Sequence, residues 1–409
     1  MLIDFTVANY RSFNEPVTLS MERIKKLRED KLDETNIIKT EDGTELLKSA
    51  IIYGANASGK SNLIAAIKFM KDFVWNSAKE SQEGEKIKYD PFSFVATDEE
   101  KPSTFEVRFY LDDAIYRYGF SIFGSHIDSE WLFKEEDELF TREQQDINVE
   151  STFEEGQGLE KRTRENALFF SVCSQMNGEI ATNLMDSFWK KLNVLSGIDL
   201  TMFESLKLLE FESTRNIIIS MLKSSDIGIN EIQVHKISLI ESLAENSNEA
   251  KAIQENATKN FIDKLSNTKV TIPTAIHKIN GIEFPMKFSQ ESEGTKKLFS
   301  LAGPFLNAVI DNEILIIDEF DARLHSLLGY RLIEFFHSQT EHQGQLVIAT
   351  HDTHLLSNDL FRRDQIWFTE KNNEQATDLY SLSDIKVRQD QKYEKNYLEG
   401  RYGAIPYFG

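Results

Sequence analysis

Apolar and polar positions alternate with a period of two near the start of the chain, which predicts short strands there. The alternation covers Leu2–Val7 and Val17–Met21. Ser49–Tyr53 is a more continuous apolar run, typical of a buried strand. From Lys60 onward, apolar residues recur at the three- and four-residue spacing of a helix. One buried strand therefore leads through a short loop into a helix.

Strand signals continue through the first half of the chain, fade in the middle and return near the end. Beyond the N-terminal region, the predicted strands are Thr104–Leu111, Ala114–Phe123, Ala167–Cys173, Glu313–Ile317 and Gln345–Ala349. The middle has a helical pattern, most clearly over Met202–Lys223 and Ile237–Leu265. The sequence therefore predicts an α/β head in two parts, residues 1–188 and 278–409, interrupted by a mostly helical insertion at residues 189–277.

Composition and charge narrow the classes of function. The 409-residue chain is 40% hydrophobic and 28% charged, which is ordinary for a globular protein. Its net charge of −21 argues against a protein that coats nucleic acid non-specifically. The chain has no apolar run long enough for a membrane-spanning helix, no N-terminal signal-peptide pattern and one cysteine. These features predict a cytoplasmic protein without intrachain disulfides.

Gly54–Ser61 matches the phosphate-binding pattern G-x-x-x-x-G-K-[ST] and lies between the predicted strand and helix. The glycines let backbone N–H groups approach a phosphate, and the helix presents its positive N-terminal end. The lysine neutralises β- and γ-phosphate charge, and the hydroxyl of Ser61 is the predicted ligand of Mg²⁺. The alternative is a glycine turn that only begins a helix. The predicted ATP-binding residues of this loop are Gly54, Asn56, Ala57, Ser58, Gly59, Lys60, Ser61 and Asn62.

A second candidate site is the apolar strand Ile314–Ile317, which ends in two acidic residues. A buried strand can deliver Asp318 to its tip as a Mg²⁺ ligand. Glu319 beside it can polarise the water that attacks the γ-phosphate. Strands that end in such a pair are common, and the phosphate loop upstream is what favours a catalytic role here.

Two further motifs flank this strand. Ser292-Glu293-Gly294 precedes it where a helix is predicted to begin, and His351 follows the predicted strand Gln345–Ala349. The order of these motifs after the phosphate loop resembles that of the ABC-type ATPase heads of the SMC/RecF class. The resemblance implies a mixed sheet around a P-loop core and an ATP-bound homodimer or higher homo-oligomer. It also implies that Ser292 and Gly294 bind the nucleotide of the partner protomer and that His351 senses the γ-phosphate as a catalytic residue.

The match to these heads has departures and open assignments. Phe320–His325 resembles their D-loop, but His325 stands where they usually carry aspartate, and Glu293 stands where they usually carry glycine. Gln175, after the predicted strand Ala167–Cys173, is a candidate Q-loop residue for ATP and Mg²⁺, or else a surface glutamine. Arg11 is either a residue that approaches the nucleotide, as in RecF-like heads, or a solvated arginine.

Within this class, the sequence resembles the AAA/ABC-like ATPases of bacterial abortive-infection and anti-phage systems, such as RloA, the abortive infection protein L ATPase and AriA of the PARIS system. It is carried by Asn9–Phe13, Glu291–Lys297 and the ending Gly400–Pro406. Related nucleases append a Toprim domain, and too few residues follow His351 here for one. The resemblance therefore implies a sensor or scaffold ATPase that controls a separately encoded effector, with a Toprim-type nuclease as one candidate.

Two other classes of function are weighed against this one. The first is a RecF- or SMC-like repair ATPase that binds DNA directly, which the net charge of −21 disfavours. The second is the nucleotide-binding subunit of a transporter, whose Leu-Ser-Gly-Gly-Gln signature is absent from the sequence. Direct binding of nucleic acid stays open, and no membrane association is expected.

Overall fold

The computed structural model describes residues 1–27, 29–80, 84–94, 101–224, 228–238, 268–387 and 391–406. They fall into two compact units. The first unit comprises Met1–Asp199, Asn307–Ala322 and Gly329–Gly409, and the second comprises Leu200–Leu306 and Arg323–Leu328. None of the helices in the described ranges is long and apolar enough to cross a membrane.

The elements are numbered in chain order. The strands are β1 Leu2–Ala8, β2 Val17–Ser20, β3 Ile37–Lys39, β4 Glu45–Leu47, β5 Ser49–Tyr53, β6 Ser103–Leu111, β7 Ala114–Phe123, β8 His126–Lys134, β9 Asp137–Glu143, β10 Asp146–Val149, β11 Leu192–Ser196, β12 Ile229–Ser238, β13 Lys269–Ile279, β14 Ile282–Lys287, β15 Ile314–Asp318, β16 Gln345–Ala349, β17 Ile366–Lys371 and β18 Thr377–Ser381. The α-helices are α1 Asp30–Asp33, α2 Lys60–Glu80, α3 Phe169–Gln175, α4 Glu179–Leu184, α5 Phe203–Leu208, α6 Glu212–Ser224, α7 Glu293–Ile310, α8 Ser326–Ser338 and α9 Tyr393–Leu398.

An antiparallel sheet forms one layer of the first unit. In the described part of the chain it has seven strands in the order β10-β9-β8-β7-β6-β1-β2. The strands predicted at Thr104–Leu111 and Ala114–Phe123 are confirmed as β6 and β7, which pair as a hairpin around a turn at Asp112 and Asp113. Both turn residues have positive φ values, +48° and +57°. Aspartate tolerates this left-handed backbone better than most residues, which suits it to a tight hairpin turn.

A mostly parallel sheet carries the predicted nucleotide-binding strand. Its order among the described residues is β11-β15-β16-β5-β17-β18, with only β18 antiparallel to its neighbour. Every residue of β5 and β16 is buried, as expected for strands covered on both faces. Because β5, β11, β15 and β16 are parallel, their carboxyl ends meet at one edge of the sheet, the position where α/β sheets bind ligands.

Helix α2 connects the two sheets through one buried cluster. Its apolar face includes Leu63, Ile67 and Met70, which belong to the same core as Phe105 of β6 and Val347 of β16. The helical period from Lys60 and the strand at Ser49–Tyr53 are therefore both confirmed. The fold is α/β with a mixed sheet around a P-loop core, as predicted.

The middle of the chain differs from the sequence prediction. Helices α5 and α6 cover most of the helical stretch predicted at Met202–Lys223. However, the second unit also holds an antiparallel sheet, β12-β13-β14, so the expectation of a mostly helical segment at 189–277 is wrong for its described residues. The pattern was missed because most positions of β12 are at least partly exposed, which leaves little apolar alternation to detect. Most of the predicted helix Ile237–Leu265 lies outside the described residues.

Candidate functional site

The phosphate loop is closed by its own lysine. Lys60 begins α2, and its Nζ donates hydrogen bonds to the carbonyl oxygens of Gly54 at 2.7 Å and Ala55 at 3.2 Å. Asn56 and Ala57 are exposed at the tip of the loop, and Ser61 is exposed in the first turn of α2. The loop thus presents its backbone and the start of a long helix to solvent, the geometry that suits an anion.

Close packing around the loop explains its glycines. Gly59 has a φ of +121°, and a Cβ there would lie 2.4 Å from Oγ1 of Thr377 on β18. A Cβ on Gly54 would lie 2.4 Å from Oγ of Ser58. Ser58 in turn is held by a 2.6 Å hydrogen bond to Thr369 of β17. Strands β17 and β18 therefore pack against the loop, and only glycine fits at positions 54 and 59.

Asp318 and Glu319 lie at the carboxyl end of β15, as predicted. The Asp318 carboxylate accepts a hydrogen bond from the backbone N–H of Glu319 at 3.0 Å. Glu319 has a φ of +51°, an unusual conformation for a residue with a side chain. The backbone therefore turns sharply after Asp318, which is a common feature of functional sites.

The loop after β16 is tied to the same edge by Asp321. Its Oδ1 accepts hydrogen bonds from Oγ1 of Thr350 at 2.7 Å and from the backbone N–H of His351 at 3.1 Å. The carbonyl of Ala349 accepts from the N–H of Phe320 at 3.0 Å. Asp321 thus holds together the loops that carry Glu319 and His351.

Electrostatics connect these groups to the lysine of the loop. Burial lowers the pKa of Lys60 to about 8, and the negative charges of Asp318, Asp321 and Glu319 act in the opposite direction. Burial also lowers the pKa of His351, and the positive charge of Lys60 lowers it further. The same three carboxylates oppose that shift. The first unit therefore brings the P-loop lysine, the acidic pair and the predicted γ-phosphate sensor into one charged group.

The donor set at this edge suits Mg²⁺ bound together with a nucleotide. Among the described residues, no group of three or more His, Cys, Asp or Glu side chains is arranged to hold a metal ion alone. Mg²⁺ is usually held by one or two protein oxygens together with substrate phosphates and water. The hydroxyl of Ser61 and the carboxylate of Asp318 are such oxygens. They fit a metal that arrives with its phosphates.

The second unit contains the Ser292–Gly294 motif. Ser292 caps α7, because its Oγ accepts a hydrogen bond from the N–H of Thr295 at 3.1 Å. Glu293 forms ion pairs with Lys296 at 3.0 Å and with Arg323 at 3.2 Å. A Cβ on Gly294 would meet nothing nearer than 3.7 Å, so packing inside the unit does not require glycine. The exposed start of an 18-residue helix is left with room for an incoming group.

Part of the predicted D-loop lies in the same unit. The ion pair between Arg323 and Glu293 joins it to the Ser292–Gly294 motif. Nδ1 of His325 accepts a hydrogen bond from the N–H of Leu327 at 3.2 Å and so caps the start of α8. His325, which replaces the usual aspartate, therefore has a local structural role.

Residues 49–357 match the protein family described as "AAA domain, putative AbiEii toxin, Type IV TA system". The match covers the phosphate loop, the Asp318–Glu319 pair and His351. The chain belongs to this AAA-domain family. No curated protein matches it.

Several solved structures are similar to this AAA-domain protein. The SMC head domain from Thermotoga maritima is 12% identical with a TM-score of 0.46, over 94% of this chain and 99% of that one. An SMC head bound to the C-terminal winged-helix domain of ScpA is 13% identical with a TM-score of 0.48 over the same shares. An SMC head with an extended coiled coil, bound to the C-terminal domain of ScpA from Pyrococcus furiosus, is 12% identical with a TM-score of 0.43, over 98% of both chains.

Gln175 of the AAA domain is not joined to this site. The strand predicted at Ala167–Cys173 is wrong, because Phe169–Gln175 is helix α3. Its Ser171 Oγ donates to the carbonyl of Val74, which lies roughly 21 Å along α2 from Lys60 at 1.5 Å per residue. Gln175 itself is exposed, and no hydrogen bond or ion pair within the described ranges links it to the phosphate loop.

The loop after β11 lies next to the acidic pair. The N–H of Gly197 donates to the carbonyl of Asp318 at 2.7 Å. A Cβ on Gly197 would lie 2.1 Å from the carbonyl oxygen of Glu319, so only glycine allows this contact. Sequence reasoning missed this loop. The apolar run ending at Ser196-Gly197 was its available signal, since β11 pairs in parallel with β15.

Arg11 lies in a turn that reaches the phosphate loop through its neighbour. Oγ of Ser12 accepts a 2.8 Å hydrogen bond from Nδ2 of Asn62 on α2. The Arg11 side chain itself pairs with Asp90 at 3.3 Å and lies 5.5 Å from the ring centre of Tyr10. The turn therefore belongs to the site, while the guanidinium is engaged with an exposed carboxylate.

Proposed function

We propose that this AAA-domain protein binds ATP with Mg²⁺ and hydrolyses it. The observation that carries the proposal is the convergence of Lys60, Asp318, Glu319 and His351 at one edge of the parallel sheet. Lys60 and the N-terminus of α2 neutralise charge on the β- and γ-phosphates. Glu319 orients and deprotonates the attacking water, and His351 contacts the γ-phosphate. Ser61 and Asp318 would hold Mg²⁺, which would supply further stabilisation of phosphate charge.

The engaged state of Lys60 supports this role. Its ammonium group is buried and bonded to two carbonyls of its own loop, so phosphates that enter the loop exchange these neutral partners for charged ones. Charge-assisted hydrogen bonds are roughly twice as strong as neutral ones. The lysine is therefore held in place before the nucleotide arrives, and little rearrangement is needed at binding.

The protein acts, in this proposal, as a homodimer or higher homo-oligomer of heads. The exposed start of α7, with its capping Ser292 and the open space at Gly294, suits contact with the γ-phosphate bound by a partner protomer. Two composite sites would then form across the dimer. ATP would stabilise the closed dimer, and hydrolysis would release it.

The proposed output is control of a separate effector in anti-phage defence, in the manner of RloA, AriA or the abortive infection protein L ATPase. The family description, which names an AbiEii toxin and a type IV toxin–antitoxin system, supports a defence role. The candidate effector is a separately encoded protein, such as a Toprim-type nuclease. The single cysteine, Cys173, is buried, which suits the reducing cytoplasm where this system would act.

Mixing two inactive variants tests the composite sites. Lys60→Ala removes the cation of the phosphate loop in one protomer. Gly294→Arg blocks the start of α7 in the other protomer, and the open space at Gly294 accepts the larger side chain. A mixed dimer retains one site with an intact loop and an intact Ser292–Gly294 motif. Equimolar mixing should restore ATP hydrolysis that neither variant shows alone. If the mixture stays inactive while both variants remain folded, the two motifs do not complete each other between protomers.

A simpler test separates this function from that of an ATPase that binds DNA directly. Hydrolysis by the wild type should depend on Mg²⁺ and be insensitive to added duplex DNA. Strong stimulation by DNA would favour a RecF- or SMC-like repair ATPase. Absence of hydrolysis with bound ATP would reduce the proposal to nucleotide binding.

A further inference from the structure

The segment Tyr393–Ala404, called here the C-terminal segment, contacts the loop that carries His351. It consists of α9 and the turn that follows it. The carboxylate of Glu394 accepts a 3.2 Å hydrogen bond from Oγ1 of Thr353, two residues beyond His351. Glu394 also lies 3.9 Å from Nδ1 of His354, but that histidine side chain is 73% exposed and such a pair contributes little. The hydrogen bond to Thr353 is therefore the informative contact.

The C-terminal segment is anchored to the strand that leads into the phosphate loop. The ring of Tyr397 lies 5.7 Å from that of Tyr53, the last residue of β5, and 5.6 Å from that of Phe368 on β17. The Tyr397 hydroxyl donates to the carbonyl of Ala404 at 2.9 Å and closes the turn onto the helix. Burial raises the pKa of Tyr397 to about 12, so this donor keeps its proton at physiological pH. The segment is thus fixed against the core strands.

The glycine-rich turn that ends the segment is shaped by this packing. Gly403 has a φ of +71°, and a Cβ there would lie 2.6 Å from the Tyr380 hydroxyl. That hydroxyl donates to the carbonyl of Tyr402 at 2.8 Å, and Nδ2 of Asn396 donates to the Tyr402 hydroxyl at 3.0 Å. The turn is therefore bonded both to Tyr380 of β18 and to Asn396 of α9. The ending Gly400–Pro406, recognised in the sequence by resemblance alone, has a structural reason.

The loop from Thr350 to Leu355 is thus held from three directions. Asp321 binds its start, and the hydroxyl of Tyr53 donates to the carbonyl of Asp352 at 3.2 Å. Glu394 binds its middle through Thr353. Two of these three supports come from the loop after β15 and from β5, the elements that carry the acidic pair and the phosphate loop. The third comes from the C-terminal segment.

We propose that the C-terminal segment positions the His351 loop for catalysis and that Glu394 is the positioning residue. Its hydrogen bond fixes Thr353, and the short chain between Thr353 and His351 transmits that constraint to the imidazole. The inference rests on the proposed ATPase function for its kinetic consequence. Its structural half, the restraint on the loop, holds in the protein without nucleotide.

Hydrogen exchange of the nucleotide-free, full-length protein tests the structural half. Glu394→Ala should raise amide exchange over residues 350–355 about three- to tenfold, the effect of losing one hydrogen bond, and leave residues 54–62 unchanged. Glu399→Ala is the matched control, because Glu399 lies just after the same helix and pairs with Arg401 and Lys395. Equal exchange in wild type and Glu394→Ala would overturn the proposal, whether or not the protein hydrolyses ATP.

Steady-state ATP hydrolysis tests the kinetic half. Glu394→Ala and Thr353→Val should each lower kcat about three- to tenfold with KM for ATP unchanged, and the double variant should be no worse than either. Glu394→Gln keeps the acceptor oxygen and should restore activity. Additive losses in the double variant, a rise in KM, or an equally low Glu394→Gln would overturn the proposal. A wild type that does not hydrolyse ATP would instead refute the proposed function, with the exchange experiment still deciding the restraint.

Discussion

The hydrogen bonds and the lowered pKa of Lys60 link its protonation to nucleotide binding. Its Nζ is bonded to the carbonyls of Gly54 and Ala55, and burial lowers its pKa to about 8. A buried ammonium group bonded only to carbonyls is costly to keep charged. The phosphates of a nucleotide would relieve that cost. Binding of the nucleotide is therefore coupled to protonation of Lys60.

Replacing the lysine should therefore remove nucleotide binding. In Lys60→Ala the β- and γ-phosphates lose their cation, and calorimetry should detect no binding of ATP with Mg²⁺. Lys71→Ala is the control, because Lys71 lies on the same helix and burial also lowers its pKa. Near-wild-type affinity in Lys60→Ala would remove the P-loop assignment.

The lowered pKa also predicts a pH dependence. Below pH 8 the free protein already carries the Lys60 proton, whereas above pH 8 it must take up a proton when the phosphates raise the pKa of the amine. ATP affinity should therefore fall as pH rises, approaching about tenfold per pH unit between the free and bound pKa values. Binding measured from pH 7 to pH 9 checks this. Lys60→Arg, which stays charged, should lose the slope. A flat profile in the wild type would contradict the coupling.

Glu319 is the residue whose role is easiest to separate from binding. Glu319→Gln should keep ATP and Mg²⁺ bound but slow turnover by roughly 10²–10⁴, the usual contribution of a general base. The variant should then accumulate ATP-bound dimers, detectable by analytical ultracentrifugation. Glu334→Gln, in an exposed ion pair on α8, is the control. Unchanged hydrolysis in Glu319→Gln would show that another group activates the water.

At the scale of elements, one buried ion pair connects α3 to the antiparallel sheet. Glu130 of β8 and Arg142 of β9 are fully buried and 3.6 Å apart. Glu130 accepts from the N–H groups of Phe169 and Phe170, which begin α3, and Arg142 donates to the carbonyl of Ala167. These contacts satisfy the free backbone groups at a helix start. They explain why the segment predicted as a strand at Ala167–Cys173 is helical instead.

Breaking this pair should destabilise the first unit. Glu130→Ala leaves a buried guanidinium without its carboxylate and should lower the free energy of unfolding by about 3–5 kcal/mol in urea denaturation. The control is Glu22→Ala, just beyond the end of β2, whose 2.8 Å contact with Arg108 of β6 is half exposed, with an expected loss below about 1 kcal/mol. Similar losses for both variants would show that the buried network does not hold α3.

At the scale of the whole molecule, the prediction is that the protein is an ATPase scaffold and not itself the toxin. Expressed alone, it should be harmless and leave DNA, RNA and tRNA intact with Mg²⁺ or Mn²⁺. Within the described residues, no group of three or more acidic, histidine or cysteine side chains is arranged to hold a metal ion. Phage defence should require the neighbouring gene and be lost with Lys60→Ala, because an empty head cannot adopt the ATP-bound state. Cleavage that survives Lys60→Ala would refute the scaffold function.

Sequence alone predicted the parts of the protein in which local pattern and chemistry coincide. The phosphate loop, the strand before it and the helix after it were predicted within a residue or two, because the loop needs glycines and a helix start in one short stretch. The position of Asp318 and Glu319 at the end of a strand was also predicted, because a strand buried on both faces has a continuous apolar sequence.

Tertiary structure alone decided the contacts between residues far apart in the chain. Glu394 and Thr353 are 41 positions apart, and Ser12 and Thr377 are 365 apart, so no local pattern links them. The apolar run at Ala167–Cys173 fits a strand or a helix equally well by pattern, and the buried carboxylate of Glu130 selects the helix. Side chains that support a site act through packing and hydrogen bonds formed only after folding, and a sequence pattern contains no distance between them.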